Sequence, residues 1–332
     1  MKAVVMTAPG EPEVLSLQDI PPPILEGDHE LLVRIHAAGV NPIDTKLRAR
    51  GPYRTGPGPH VLGCDAAGVV EQVGRAVTRF QPGDEVYFCD GGLGGLRGNY
   101  AEYTLVDERF AARKPRNLDF VHAAAAPLVL ITAWESLHER AHVHDGQRVL
   151  IHAGAGGVGH VAIQLARAAG ARVCTTVSTA AKAEFVRSLG AEEVILYPEQ
   201  DFVAAALAWT GGRGVDMALD TVGGPTFARS AEAVAVYGDL VTVLQPDAET
   251  DWREARLRSL RVSLELMLTP MLFGLAEAQA RQARILERCA ELFEQERLQV
   301  HVQQSFALEN AAEAHRALAR GLAGGKLVLE VA

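Results

Sequence analysis

The 332-residue chain is 48% hydrophobic and 22% charged, which excludes broad disorder and leaves room for two domains. A net charge of −9 excludes a general nucleic-acid binder, which needs basic surface against phosphate. Cys64, Cys89, Cys174 and Cys289 are scattered without a C-x-x-C pair, so reduced thiols in the cytoplasm are expected rather than a disulfide framework or zinc ribbon. In chain order, the first third reads as β structure: "KAVVM", "ELLVRIHAAGV", "AAGVVEQVG" and "DEVYF" are short apolar runs separated by the loops "PPPILEGD" and "RGPYRTGPGPH". The glycine-rich "GGLGGLRGNYAEY" is a loop entering another strand. Ala123 to Trp134 is the longest apolar stretch, but it carries Pro127 and falls short of the roughly 20 residues of a membrane helix. A soluble chain with no membrane partner is expected.

From about residue 120, strand-length apolar runs alternate with helical patterns. "QRVLIHA" precedes "VGHVAIQLARAAG", "ARVCTTV" precedes "AKAEFVRSLG", and "EEVILY" precedes "DFVAAALAWT". "GVDMALD", "GPTFARSAEAVAVYG" and "DLVTVL" follow. Apolar strands between amphipathic helices imply a parallel sheet covered on both faces, a doubly wound α/β domain. After a helical stretch from about Leu275 to Arg297, "VQQSFAL" and "GKLVLEVA" read as strands, and the C-terminus is expected to rejoin the first domain.

Gly154-Ala155-Gly156-Gly157-Val158-Gly159 lies between a predicted strand and helix, the required context of the G-x-G-x-x-G dinucleotide fingerprint. Gly154 makes the turn, Gly156 admits a pyrophosphate, and Gly159 permits close helix packing. An NAD site normally carries an acid about 20 residues beyond the loop, against the ribose 2′-hydroxyl. None occurs from Gly146 through Ala183; Ser178, Thr179 and Lys182 stand at the strand end instead. Hydroxyls and an ammonium suit a 2′-phosphate, which favours NADPH. The other reading of Lys182 is a solvated helix residue.

Two segments imitate metal sites. His138-Glu139-Arg140-Ala141-His142 is a formal H-E-x-x-H, yet Arg148 stands where the metzincin extension would put a third histidine, and the acid-free stretch from Gly146 through Ala183 offers no carboxylate ligand. These residues read as histidines at a helix C-terminus, where the dipole favours them. "HVLGCDAAG" brings His60, Cys64 and Asp65 within six residues. Cys64 and Asp65 alone do not close a zinc site, and no metal is expected. Cys64 either lines a pocket or is a packing thiol, and His152 is expected to satisfy a core hydrogen bond.

"AAGVNPIDTKLRARGPY", "VLGCDAAGVVEQVG", "FQPGDEVY", "VLIHAGAGGVG" and "GKLVLEV" together resemble the medium-chain dehydrogenase/reductase superfamily over nearly the whole chain. Its zinc alcohol dehydrogenases carry a cysteine near Asn41, a G-H-E motif and a later cysteine. This chain has Asn41-Pro42 and Gly63-Cys64-Asp65, no cysteine between Cys89 and Cys174, and no four-cysteine lobe. "GVNPIDTKLR" and "IHAGAGGVG" are most similar to the zinc-independent quinone oxidoreductase (zeta-crystallin-like) branch.

That resemblance implies a GroES-like β-rich catalytic domain (residues 1–122 and 298–332) around a Rossmann NADPH-binding domain (residues 123–297). It also implies a homodimer and a small quinone or α,β-unsaturated carbonyl substrate. Asn41 and Asp44 are then expected beside the nicotinamide, Asn41 as a donor and Asp44 holding the loop. Tyrosines near Lys46 and Tyr53 contact the quinone in some relatives. Here Lys46 is either an enolate donor or an exposed helix residue, and Tyr53 either faces substrate or solvent. Thr132, Tyr197, Thr221, Val222, Leu244 and Lys326 fall on cofactor-contact segments. The alternatives are a nucleotide-binding protein of this fold with little turnover, or a metal-dependent alcohol dehydrogenase with rearranged ligands.

Overall fold

The chain enters through an antiparallel pair, β1 (Lys2–Met6) and β2 (Ser16–Asp19). β3 (Glu30–Val40) alternates buried and half-buried side chains before a fully buried end, as a strand with one face on a core must. α1 (Pro42–Arg50) starts directly behind it, with proline at its first position, where a missing N–H costs nothing. β4 (His60–Val61), β5 (Asp65–Val73), β6 (Glu85–Cys89), β7 (Tyr103–Asp107) and β8 (Ala111–Arg113) follow. In this computed structural model residues 1–53, 59–321 and 324–331 are described; part of the loop expected before His60, residues 54–58, lies outside them. Leu31, Val33, Ile35, Val70, Phe88 and Val106 form the core of these strands. Two helices, α2 (Phe120–Ala125) and α3 (Pro127–Trp134), end this part.

A π-helical turn (Glu135–Arg140) leads into β9 (Arg148–Ile151) and α4 (Gly157–Ala168). Strands and helices then alternate as the sequence pattern requires: β10 (Arg172–Val177), α5 (Ala180–Ser188), β11 (Glu193–Leu196), α6 (Phe202–Trp209), β12 (Val215–Asp220), α7 (Gly224–Ala233) and β13 (Val234–Thr242). α8 (Arg253–Leu257) and β14 (Arg261–Leu264) complete a six-stranded sheet. Its order is β11-β10-β9-β12-β13-β14 and every pairing is parallel. Leu150, Cys174, Ile195, Ala218, Phe227 and Leu240 are buried together in its core. Strand order reverses beside β9, the switch point where open α/β sheets bind ligands at the strands' carboxyl ends.

α9 (Thr269–Phe273), α10 (Ala276–Glu294), β15 (Val302–Ala307), α11 (Ala311–Ala319) and β16 (Lys326–Glu330) return to the first sheet. That sheet has seven strands in the order β15-β16-β3-β5-β6-β8, with β7 also pairing β3. The chain thus forms two units, residues 1–128 with 268–332, and residues 129–267. The boundary expected after residue 297 therefore lies after residue 267. α10 belongs to the first unit because Tyr87 Oη donates to the Leu286 carbonyl at 2.5 Å and Asn117 Nδ2 to the Phe293 carbonyl at 2.6 Å. Likewise the first boundary falls inside α3, after Leu128, rather than after residue 122.

Candidate functional site

The second unit carries the glycine-rich turn expected to hold a phosphate. Ala153 has a positive φ of 50°, and α4 begins at Gly157 immediately after the turn. A Cβ on Gly154 would run into Thr175 Oγ1, and one on Gly159 into the Ala153 carbonyl. At Gly156 the nearest atom, the Ala153 carbonyl oxygen, would lie 3.1 Å away. Only glycine keeps this turn tight enough for α4 to aim its first N–H groups at an anion. The sequence therefore places Gly154, Gly156, Gly157, Val158 and Gly159 in one cradle that fits a dinucleotide.

Beyond β10, Ser178 is half-buried, and Thr179 caps α5 by accepting from the Lys182 N–H at 3.3 Å. Ser178, Thr179 and Lys182 thus gather at one strand end. A cavity of about 610 Å³ opens at the carboxyl edge and includes Tyr197 and Val222 in its lining. Thr221 Oγ1 donates to the His152 carbonyl at 2.9 Å, and Leu244 packs beside Gly223. His152 lies 3.2 Å from Thr176 Oγ1 and 2.9 Å from Ser230 Oγ; burial lowers its pKa to about 4, so it is a neutral core residue. Thr132 is buried, and its carbonyl accepts from Ser136 Oγ at 2.7 Å.

In the first unit, strand register assembles a second cluster. Gly39 on β3 pairs with Asp65 on β5, and Val40 pairs with Leu327 on β16. Asn41, one step further, therefore meets Asp65 on one side and Lys326 on the other. Its Nδ2 donates to Asp65 Oδ2 at 2.8 Å, while its Oδ1 accepts from Lys326 Nζ. Lys326 also donates to the Val40 carbonyl at 3.2 Å and stands 3.6 Å from Asp65 Oδ2. Asp65 Oδ1 accepts from the Leu128 N–H at 2.8 Å. Asn41, Asp44 and Asp65 are wholly buried, and Lys326 is 3% exposed. Burial pushes the Asp65 carboxyl up and the Lys326 ammonium down, and their mutual attraction opposes both shifts.

Asp44 Oδ2 accepts the Asn41 N–H at 2.8 Å, which fixes the start of α1. Burial raises Asp44 to about 7, with Asp65 adding to the rise. Lys46 is exposed on α1 and Tyr53 is 56% exposed, so neither joins this buried cluster. Asp65 was legible in the sequence only as the remnant of a metal motif. Tyr100 reaches Asp44, and His315 reaches Tyr100, from distant segments, and no local pattern announces them.

A zinc ion does not fit this donor set. Asn41 Oδ1 and Asp65 Oδ2 already face an ammonium. Burial, with Asp44, Asp65 and Asp90 nearby, drives the Cys64 thiol well above its ordinary pKa and away from the thiolate a metal needs. Among the described residues no group of three His, Cys, Asp or Glu side chains is arranged to hold a metal. In the H-E-x-x-H segment, His142 has a positive φ of 50° and its Nδ1 faces the His138 carbonyl at 3.0 Å.

A seven-stranded, largely antiparallel sheet and a six-stranded parallel sheet with a glycine-rich turn at its switch point have the two-domain architecture of nucleotide-dependent oxidoreductases. Residues 27–116 match the alcohol dehydrogenase GroES-like domain and residues 189–329 the zinc-binding dehydrogenase domain. The chain is 34% identical to the quinone oxidoreductase of Pseudomonas aeruginosa over 328 residues, 99% of each chain. It is 39% identical to the 2-haloacrylate reductase of a Burkholderia species over 230 residues, covering 66% of this chain and 68% of that one. The crystal structure of Escherichia coli quinone oxidoreductase complexed with NADPH superposes with a TM-score of 0.87 at 30% identity, over 100% of both chains. The chain belongs to the medium-chain dehydrogenase/reductase superfamily, in the branch of the quinone oxidoreductases.

Proposed function

We propose that the protein is an NADPH-dependent, zinc-independent reductase of quinones or α,β-unsaturated carbonyl compounds. The observation that carries this reading is the Gly154–Gly159 cradle with Ser178, Thr179 and Lys182 at an acid-free strand end. The names of the two relatives, a quinone oxidoreductase and a 2-haloacrylate reductase, supply the acceptor class.

When bound, NADPH supplies a hydride to an acceptor whose conjugation already disperses negative charge. The cradle residues hold the pyrophosphate, and Ser178, Thr179 and Lys182 take the 2′-phosphate. Thr132, Tyr197, Thr221, Val222 and Leu244 contact the rest of the cofactor. Asn41 Nδ2 carries two hydrogens; one serves Asp65, and the other becomes the donor for the acceptor's oxygen once the bound acceptor displaces the cover that leaves Asn41 0% exposed. Lys326 fixes the amide's orientation through Oδ1 and is also proposed as a cofactor contact, and Asp44 holds the loop. Lys46 and Tyr53, both exposed, line the acceptor's approach.

A homodimer in the cytoplasm belongs to the same proposal. β14 is the last strand of its sheet, and Leu264 at its end and Leu266 just beyond it are 61% and 48% exposed, which supports pairing with a second copy. All four cysteines are free and buried, which suits a reducing compartment. Among the described residues no helix is long and apolar enough to cross a membrane.

NADPH consumption across a small panel of quinones and enones, with and without a zinc chelator, tests the activity. Chelator-insensitive turnover with at least one acceptor is expected. Cofactor binding without oxidation of NADPH by any of them would return the protein to the nucleotide-binding alternative.

A further inference from the structure

The Asn41 backbone is tethered through a chain of buried side chains that leads by way of Asp44 and Tyr100 to α11. Asp44 Oδ2 accepts the Asn41 N–H at 2.8 Å and also the Tyr100 hydroxyl at 3.1 Å. The same hydroxyl stands 3.2 Å from His315 Nε2 on α11, and the two rings meet edge-on with centroids 5.8 Å apart. Asp44 and Tyr100 are 0% exposed and His315 is 1% exposed.

Burying three polar side chains is costly unless each is hydrogen-bonded. Here the two ends of the chain stay incomplete, because Asp44 Oδ1 and His315 Nδ1 are buried without a hydrogen-bond partner. Native proteins leave few such atoms, and an apolar trio of the same shape would pack at lower cost. The middle of the chain is fully engaged, and it points at one group, the Asn41 peptide. Gly63 has a φ of +95°, and a Cβ there would lie 2.5 Å from Tyr100 Cδ1, so the backbone has been cleared to admit that ring.

We infer that Tyr100 and His315 are positioning residues for Asn41. The imidazole orients the hydroxyl, the hydroxyl fixes the Asp44 carboxylate, and the carboxylate fixes the backbone from which the Asn41 amide projects. The inference rests on the proposed role of Asn41 as the acceptor's donor. Three groups face Asp44: Tyr100, Asp65 on β5 and Lys326 on β16. Cys64 is close by, and Arg48 of α1 acts on His315. The Tyr100 hydroxyl favours the ionised form of Asp44, so its loss raises the pH at which the carboxylate forms.

The test uses the full-length protein with 1,4-benzoquinone and methyl vinyl ketone as acceptors. In Tyr100→Phe, which keeps the ring, kcat is expected to fall about tenfold and the acid limb of its pH profile to move upward, with NADPH affinity within about twofold of wild type. His315→Gln, which retains a donor, is expected to keep more activity than His315→Leu. An unchanged kcat in Tyr100→Phe, alongside a loss in Asn41→Ala, overturns the inference.

A second readout needs no turnover. With nitrogen-15 asparagine labelling, the Asn41 side-chain amide resonance is assigned by its disappearance in Asn41→Ala. It should shift in Tyr100→Phe and in His315→Leu. If neither acceptor turns over in wild type, the proposed activity fails while this resonance still decides the positioning role, and an unmoved resonance overturns it.

Discussion

Lys326 Nζ and Asp65 Oδ2 stand 3.6 Å apart and hold the two ends of one amide, that of Asn41. A buried charge pair of this kind adds little net stability when whole, but breaking it leaves one charge uncompensated. Lys326→Met is therefore expected to destabilise the protein by about 3–5 kcal/mol. Adding Asp65→Asn should restore a substantial part of that loss. Urea unfolding of the two single variants and the double variant measures the coupling; simple additivity would contradict it.

Gly159→Ala drives a methyl group into the backbone carbonyl of Ala153, which cannot give way as a flexible side chain could, and Gly154→Ala meets Thr175 Oγ1. Both are expected to weaken NADPH binding at least about tenfold, because the turn must open before the helix N-terminus can face the pyrophosphate. Gly156→Ala, with its nearest atom at 3.1 Å, should be milder. Titration of cofactor fluorescence ranks the three.

The 2′-phosphate contact proposed for Lys182 can be read from cofactor choice. Lys182→Ala should lower NADPH affinity about tenfold, the loss of one charge-assisted hydrogen bond, while leaving NADH affinity nearly unchanged. Equal losses for both nucleotides would assign Lys182 to the helix surface alone.

Asp44 titrates near 7 in the folded protein against an ordinary value of 3.8, because burial penalises its charge. A raised folded-state pKa means that the native state holds the proton more tightly than the unfolded chain. The stability this contributes is complete below about pH 4 and is lost as pH rises through 7, by up to roughly 4 kcal/mol. The stability difference between wild type and Asp44→Asn, followed by urea unfolding from pH 4 to 8, should therefore move against wild type as pH rises. A flat difference would contradict the shift.

The fold and the strand–turn–helix geometry of Gly154 to Gly159 were legible in the sequence because both rest on local patterns. Alternation sets the bounds of β3 as read from "ELLVRIHAAGV", and a strand–glycine–helix succession places Gly154 to Gly159. β14 was not read, since "RVSL" is four residues long and lies on the sheet's edge, where burial is slight. α10 was read as a helix but assigned to the wrong unit, because its partners, Tyr87 and Asn117, are remote in sequence. The same limit governs the Asn41 cluster. Asn41 and Asp44 sit in one readable segment, whereas Asp65, Tyr100, His315 and Lys326 join them only through strand register and helix packing.

Transfer of isotope from cofactor to acceptor is the most direct measurement of the central claim. With NADPH deuterated at nicotinamide C4 and an enone as acceptor, in zinc-free buffer, the reduced product should carry one deuterium at the β-carbon. Tight NADPH binding with no deuterated product from any quinone or enone, or label transfer that appears only when zinc is added, would contradict it.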